Sequence, residues 1–531
     1  MSERKRKIAG AASTKPEVTD SQVSDQVYDL PINEMDGVDA EHLFSKVARG
    51  FGFTFDDIIL LPGFINFSVA EVDLSVKVTK NGPKLNAPFV SSPMDTVTEH
   101  KMAIAMAMEG GLGIIHGNLS VEHQCDEVRK VKRFESGFIV DPVCLRETNT
   151  IADVDKIKQD LGFTAIPITT EDGTLVGLVT SRDIDFLEDR TQKLSAVMTK
   201  RADLITLKVG CTLEEANNKL KESKKGRLPV VDAQFKLQSL VSRKDLNKNQ
   251  DWPIASKDHV TKQLLVGACV LIEKDDGLTL LESLRRVDAL TQAGADVFAF
   301  EGDHLQQVTL LKLAKAKYPH MQVICGNVAT AAQVKLLCEA GADGLRIGVG
   351  VGSIATGQLV KAVGRAQMSA VHAAARVAKE YGVPVIADGG VGNSGCAIKA
   401  LCLGASMVMM GSLLAGTEES PGSYHFQDGM RVKAYRGMMS RDVLNQQQKK
   451  REFVIPQGVS GAVVDKGSVH KFIPYQAQSI RHGLQDIGAV SIAALHDQLY
   501  SGKLRFELRS PAAQKEGGVH DLHSWKPSLL S

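Results

Sequence analysis

From about Phe53 onward, short Val/Ile/Leu runs that close in Gly or Asn alternate with Ala/Leu/Lys-rich stretches of helical period. This alternation constrains the fold more than any other feature. Consecutive parallel strands need a crossover long enough to hold a helix, so it implies a parallel sheet covered by helices. The runs are Ala87-Pro88-Phe89-Val90, Gly113-Ile114-Ile115, Asp296 to Phe300, Gln322 to Ile324, Gly344 to Ile347, Val383 to Ile386 and Ser406 to Met410, with helical stretches such as Ala329 to Ala340 between them. The expected closure is an α/β fold, a (β/α)8 TIM barrel, which binds ligands at the C-terminal ends of its strands. With 531 residues, 43% of them hydrophobic, the chain can fill that core and at least one further domain.

An internal repeat interrupts the series. Thr150-Ile151, Ile166-Pro167-Ile168 and Leu175 to Asp183 recur as Thr212-Leu213, Leu228-Pro229-Val230-Val231 and Leu237 to Asp245, at a constant spacing of 62 residues (150 to 212, 167 to 229, 183 to 245). A fixed period marks duplicated supersecondary units. The tandem resembles a pair of cystathionine-beta-synthase-type (CBS) modules, a Bateman domain, and the resemblance implies binding of adenine or guanine nucleotides. Each copy ends in Ser/Thr-x-x-Asp: Thr180 with Asp183, and Ser242 with Asp245. Aspartate can accept from both ribose hydroxyls while the hydroxyl residue meets a phosphate, which makes these four residues a candidate regulatory site. The same pattern also caps helices, and for one copy alone the two readings stand level. The expected partition is a disordered tail at 1–28, a barrel at 29–133 and 251–531, and the tandem insert at 134–250.

The tail is polar and aperiodic, and its Arg4-Lys5-Arg6-Lys7 run fits either solvated charge or a nuclear-import signal. A net charge of +1 supplies no field for nucleic acid or a membrane surface. Apolar runs such as Ala405 to Leu414 fall short of a bilayer span, and the polar N-terminus carries no secretory signal. The eight cysteines include no Cys-x-x-Cys pair and no metal-ligand spacing, so they read as reduced, mostly buried thiols of a cytosolic protein.

The richest candidate site is Gly348-Val349-Gly350-Val351-Gly352-Ser353-Ile354-Ala355-Thr356-Gly357, directly after the strand that ends at Ile347. Its alternating glycines let backbone N–H groups turn toward an anion, and Ser353 adds a hydroxyl. It is built like a phosphate loop, yet it holds no nucleophile.

This loop, together with Ser91-Ser92-Pro93-Met94-Asp95-Thr96-Val97-Thr98-Glu99, Gly326-Asn327-Val328, Ile386-Ala387-Asp388-Gly389-Gly390, Met409-Met410-Gly411-Ser412, Tyr435-Arg436-Gly437-Met438 and Glu516-Gly517-Gly518-Val519-His520, resembles the inosine monophosphate (IMP) dehydrogenase family from about Phe53 to about Ser524. The resemblance implies a purine mononucleotide pocket. Ser92, Ser353, Gly390, Gly411, Ser412 and Tyr435 would hold the 5′-phosphate without a lysine, and Asp388 would accept from the ribose. Met438 and Gln457 would meet the base, with Asn327 and Arg346 around it, and Met439, in place of the family glycine, would crowd it. It also implies a potassium site of backbone carbonyls from Gly348, Gly350, Ala355, Glu516, Gly517 and Gly518, and a tetramer of barrels, homomeric or mixed with an active paralogue.

The chemistry departs from the pattern. The family attacks the purine with a cysteine, passes a hydride to NAD and hydrolyses the adduct with an activated water. Here the cysteine position is Ala355, the family threonine two residues on is Gly357, and the family Arg-Tyr pair aligns with Arg451-Glu452 in a shortened flap. The cofactor segment Asp-Ser-Ser reads Glu301-Gly302-Asp303-His304, leaving Glu301 as the candidate ribose acceptor and His304 with no deducible partner. Losing a covalent nucleophile costs roughly 10⁶-fold in turnover, about 8 kcal/mol of barrier. The expectation is a nucleotide-binding homologue without NAD-dependent oxidation. The alternatives are a working dehydrogenase that uses a displaced group such as Cys325, or an enzyme resembling a guanosine monophosphate (GMP) reductase.

Overall fold

The computed structural model describes residues 36–47, 50–134, 138–140, 142–161, 165–211, 213–242, 252–259, 261–272, 277–446 and 455–523. The expected tail at 1–28, the basic run at 4–7, and Thr212, Asp245, Arg451 and Glu452 lie outside that set. Val38–Ser531 forms one unit by its internal contacts.

Eight parallel strands close a barrel: β1 (Phe89–Ser91), β2 (Leu112–Ile115), β3 (Val266–Leu271), β4 (Val297–Glu301), β5 (Gln322–Val328), β6 (Gly344–Ile347), β7 (Val385–Asp388) and β8 (Met407–Met410). Each pairs with its successor, and β8 returns to β1 through Val408–Phe89, Met409–Val90 and Met410–Ser91. The helices between strands include His100–Met108, Val121–Arg133, Gly277–Ala293, His304–Lys317, Ala331–Glu339, Gln367–Glu380 and Ser394–Cys402. Their starts are written locally. Thr330 and Gln333 form a capping box, and the Asn393 side chain accepts from Cys396 N–H. The barrel is filled rather than hollow, with Phe89, Phe298, Ile114 and Phe300 at most 2% exposed. Each such side chain contributes about 1.5–3 kcal/mol on burial. The strand β3, a Val/Cys/Val run directly after the insert, is absent from the runs that sequence periodicity picked out.

Between Val121–Arg133 and β3 lie two small sheets. One holds Ala165–Thr169, Leu175–Thr180 and Thr199–Lys200; the other holds Leu207–Lys208, Arg227–Val231, Leu237–Ser242 and Phe138–Val140. Their separate cores follow the repeat: Val154, Ile166, Ile168 and Val179 in the first match Ala216, Leu228, Val230 and Val241 in the second. The symmetry extends across the junction, where Thr174 bridges its own repeat counterpart Lys236. Leu175 N–H donates to Phe235 O and Leu237 N–H to Gly173 O, both at 3.0 Å. A residue paired with its own counterpart places an approximate twofold axis through that bridge. A third sheet, His425–Gln427, Met430–Arg436 and Ser460–Val464, follows β8 in the chain. Among the described residues no helix is long and apolar enough to cross a membrane.

Candidate functional site

The strand ends deliver the polar residues. Arg346 on β6 donates from Nε to Asp388 Oδ2 at 2.8 Å and from a terminal nitrogen to Glu301 Oε1, so it spans β7 and β4. Asn327 on β5 donates from Nδ2 to the same Asp388 Oδ2 and to Gly348 O, both at 2.8 Å. Asn327 and Arg346 thus converge on one carboxylate oxygen of Asp388. Both donors land on Oδ2, leaving Asp388 Oδ1 to accept from elsewhere. Glu301 is bound to Arg346 rather than standing free. Gln367, 3% exposed, ties the same strands by donating to Ile347 O at 2.8 Å and Asp388 O at 3.0 Å. Sequence reading passed over it because its partners are main-chain atoms on two other strands.

The loop after β6 needs its first glycine. At φ +148° a Cβ on Gly348 would lie 2.0 Å from Asp388 O, so no side chain fits. Further along, the loop runs beside the segment 457–459. Thr356 N–H donates to Gln457 O at 3.0 Å, Val459 N–H to Ile354 O at 3.1 Å, and Gln457 N–H to Met439 O at 3.0 Å. Ser353 and Ala355 are exposed; Gln457 and Met438 are half-buried. Met439 is 42% exposed.

The phosphate candidates gather at β1, β8 and the strand Met430–Arg436. A Cβ on Gly411 would stand 3.2 Å from Tyr435 Oη and 3.7 Å from Ser92 Cβ, which locates the three together. Ser92 is 3% and Tyr435 5% exposed. Burial pushes the Tyr435 phenol up from its ordinary pKa, opposed by a hydrogen bond with Ser353. Gly390, two residues past the end of β7 at Asp388, packs over Gln367. Ser412 O accepts from the ammonium of Lys466, whose pKa burial lowers to about 8. This lysine, 54 residues away in sequence, adds a cation beside a cluster expected to hold phosphate without one.

The remaining candidates sit in their own local settings. Gly350 O accepts from Gln358 Nε2 at 2.9 Å and Gly348 O from Asn327. Glu516 ends the helix Pro511–Glu516, and Gly517 and Gly518 close it onto Ala513 O and Lys515 O. Among the described residues no hydrogen bond or ion pair joins these carbonyl groups to the loop. His304 is no loop residue: it opens the helix His304–Lys317, with Nε2 buried and unpaired. Cys325 sits mid-strand in β5, fully buried, and not at the mouth. Its thiol is pushed up first by desolvation and then by Asp343, with Lys315 and the Cys338 thiol as its other titratable neighbours. Lys315 and Cys338 belong to the outer helices, so the sulfur faces the helical layer.

In the insert, Thr180 N–H and Oγ1–H both donate to Asp183 Oδ2, at 2.7 and 2.8 Å, capping the short helix Ser181–Ile184. Ser242 is buried at the end of the equivalent strand.

Comparison with known proteins bears on the whole arrangement. Residues 52–520 match the IMP dehydrogenase / GMP reductase domain. An inosine-5′-monophosphate dehydrogenase of Toxoplasma gondii is 48% identical, covering 93% of this chain and all of that protein. One of Schizosaccharomyces pombe is 44% identical, over 93% of this chain and 96% of its own. Among solved structures, a GMP reductase from Trypanosoma brucei carrying a cysteine-to-alanine substitution, in complex with guanosine 5′-monophosphate, superposes with a TM-score of 0.80 at 33% identity, covering 90% of this chain and all of that one. With the barrel, the polar strand ends and these similarities in view, the chain belongs to the IMP dehydrogenase / GMP reductase family.

Proposed function

We propose that this chain binds inosine or xanthosine monophosphate at the barrel mouth and does not oxidise it with NAD. The observation that carries this is Ala355 in the loop after β6. The 5′-phosphate is held by backbone N–H groups at Gly390, Gly411 and Ser412 and by the hydroxyls of Ser92, Ser353 and Tyr435, a donor set suited to a dianion. Asp388 accepts from the ribose through Oδ1, with Arg346 and Asn327 fixing its orientation. Met438 and Gln457 meet the base. The crystallised GMP reductase supports such binding, since there a lost thiol and a bound purine monophosphate coexist.

Without a thiolate at position 355 the hydride has no covalent adduct to leave. Cys325 does not replace it, because it is buried on the helix side and its burial disfavours the thiolate. Gly357 offers no hydroxyl for water activation. On the cofactor side Glu301 is the one candidate ribose acceptor, and Arg346 already takes one of its carboxylate oxygens. Of the carbonyls proposed for potassium, Gly348 O accepts from Asn327 and Gly350 O from Gln358, and no step is assigned to that ion. A GMP reductase-like reaction meets the same objection at Ala355.

The insert at 134–250 we assign to a tandem CBS domain that takes adenine or guanine nucleotides through Thr180, Asp183, Ser242 and Asp245. The chain then acts as a cytoplasmic purine-nucleotide-binding subunit in a tetramer of barrels, alone or with an active paralogue. A bound nucleotide shifts such an assembly only by its different affinity for two states.

Calorimetry with inosine and xanthosine monophosphates, paired with NADH absorbance, tests the core of this. Expected are saturable binding and no NADH above background. Turnover above about 0.1 s⁻¹, within a hundredfold of the median enzyme, would refute the loss of oxidation. Absence of binding would refute the pocket.

A further inference from the structure

The segments that carry Ser92 and Tyr435 are joined by an ion pair between two of the motifs, at residues to which the sequence assigned no role. Asp95 lies three residues past Ser92, in the turn that leaves β1. Arg436 follows Tyr435 and leads into Gly437-Met438. Arg436 Nε stands 3.2 and 3.1 Å from Asp95 Oδ1 and Oδ2, and a terminal nitrogen stands 2.9 Å from Oδ2. Asn118 Nδ2, just past the end of β2, donates to Asp95 Oδ2 at 2.8 Å. Arg436 N–H adds a bond to Thr96 Oγ1 at 3.3 Å. The Asp95 side chain is 6% exposed and that of Arg436 25%.

Two properties separate this pair from an ordinary surface contact. It is screened from water, and the planar guanidinium meets the carboxylate as a fork, which fixes orientation as well as distance. It also sits where orientation matters. Met94, between Ser92 and Asp95, places its sulfur 3.2 Å from the Cβ that Gly411 lacks, beside Tyr435 Oη at the same 3.2 Å. Holding Asp95 to Arg436 therefore holds the β1 turn, Tyr435 and the Gly411 turn in one register.

We infer that Asp95 and Arg436 are positioning residues for the phosphate subsite, acting through Ser92 and Tyr435 rather than by touching the nucleotide; this rests on the mononucleotide pocket proposed above. A hydroxyl–phosphate bond weakens steeply with an ångström of displacement or a poor angle. Releasing the pair lets Tyr435 and Ser92 drift while the ribose and base contacts stay in place. The latch thus sets how much the 5′-phosphate adds to affinity, and little else.

The test compares inosine monophosphate with inosine, which lacks the phosphate, on the full-length chain and on Asp95→Asn and Arg436→Lys. Binding is followed by calorimetry for the monophosphate and by ligand-observed NMR for the nucleoside. Each variant is expected to lose about 10- to 100-fold in monophosphate affinity, the range for hydrogen bonds to charged groups. Nucleoside affinity should stay within about twofold. Arg436→Lys keeps both the net charge and a partner for Asp95, so it stands alone should Asp95→Asn fail to fold. Equal losses for both ligands, or no loss for either, would overturn the latch while leaving the pocket standing. A wild-type chain that ignores the monophosphate would overturn the pocket, and the latch with it.

Discussion

Replacing Arg346 with Met tests how the barrel mouth is held together. The guanidinium, 10% exposed at its side chain, is shared between Glu301 (22% exposed) and Asp388 (14%). The methionine fills much of the same volume but leaves two carboxylates facing each other without a cation. Removing one partner of a buried pair costs about 3–5 kcal/mol, and partial solvent access puts this site at the lower end, about 3 kcal/mol. A barrel of roughly 390 residues (29–133 and 251–531) has an unfolding entropy of about 0.8 kcal/mol/K, so Tm should fall by about 4 °C. Trp252 packs against the barrel core, its ring 4.7 Å from His470, so intrinsic fluorescence reports this unit. Adding Glu301→Gln to Arg346→Met should restore about half the loss, because one surplus charge is gone. A Tm change below about 1 °C, or a second substitution without effect, would refute the view that Arg346 neutralises the mouth.

Two further outcomes follow from other sites. Ala355→Cys has room, since Ala355 is exposed. Incubation with inosine monophosphate and NAD should trap at most one covalent adduct per chain, seen by intact mass, while several turnovers per chain would contradict the assigned role of Gly357. His372 is buried against Phe44, rings 4.3 Å apart and 16° from parallel, with neither nitrogen bonded. Burial, with Arg376 and Arg365 adding repulsion, lowers its pKa to about 4. The unfolded chain therefore takes up a proton below about 6.5 that the native state refuses until about 4, and stability is lost as pH falls through that window. The loss is on the order of 3 kcal/mol at most. His372→Phe should shrink the Tm difference between pH 7 and pH 4.5, and an unchanged difference would exclude this residue as the cause.

The alternation of runs made the barrel legible, and the 62-residue spacing located the paired sheets, because hydrophobic periodicity and duplication are local properties of the sequence. The strand ends were less legible. Reading by hydrophobicity stopped at Phe300, Ile324 and Ile386, yet the strands continue to Glu301, Val328 and Asp388. The added lengths bring in Glu301, Asn327 and Asp388, polar because they face the mouth, and polarity reads as loop. Asn327, Arg346 and Asp388 were placed together through the motifs that carry them. Gln367, Lys466 and the Asp95–Arg436 pair escaped, the last being separated by 341 residues. Nothing in a linear pattern announces a bond that only the closed barrel brings into reach. The outward turn of Cys325 was likewise invisible before its strand was seen to run on to Val328.

The loop after β6 keeps its shape by main-chain bonds alone where it meets the segment 457–459, through Ile354 O, Thr356 N–H, Gln457 O and Val459 N–H. Bonds of this kind are indifferent to which side chain stands at position 355. A drifting lineage can therefore exchange that residue in a single step, with no compensating change elsewhere and no unfolded intermediate to be purged. Exchange of a nucleophile for alanine there is structurally cheap, whereas the reverse exchange still leaves Gly357 without a hydroxyl. The fold thus leaves selection at position 355 to act on chemistry rather than on stability.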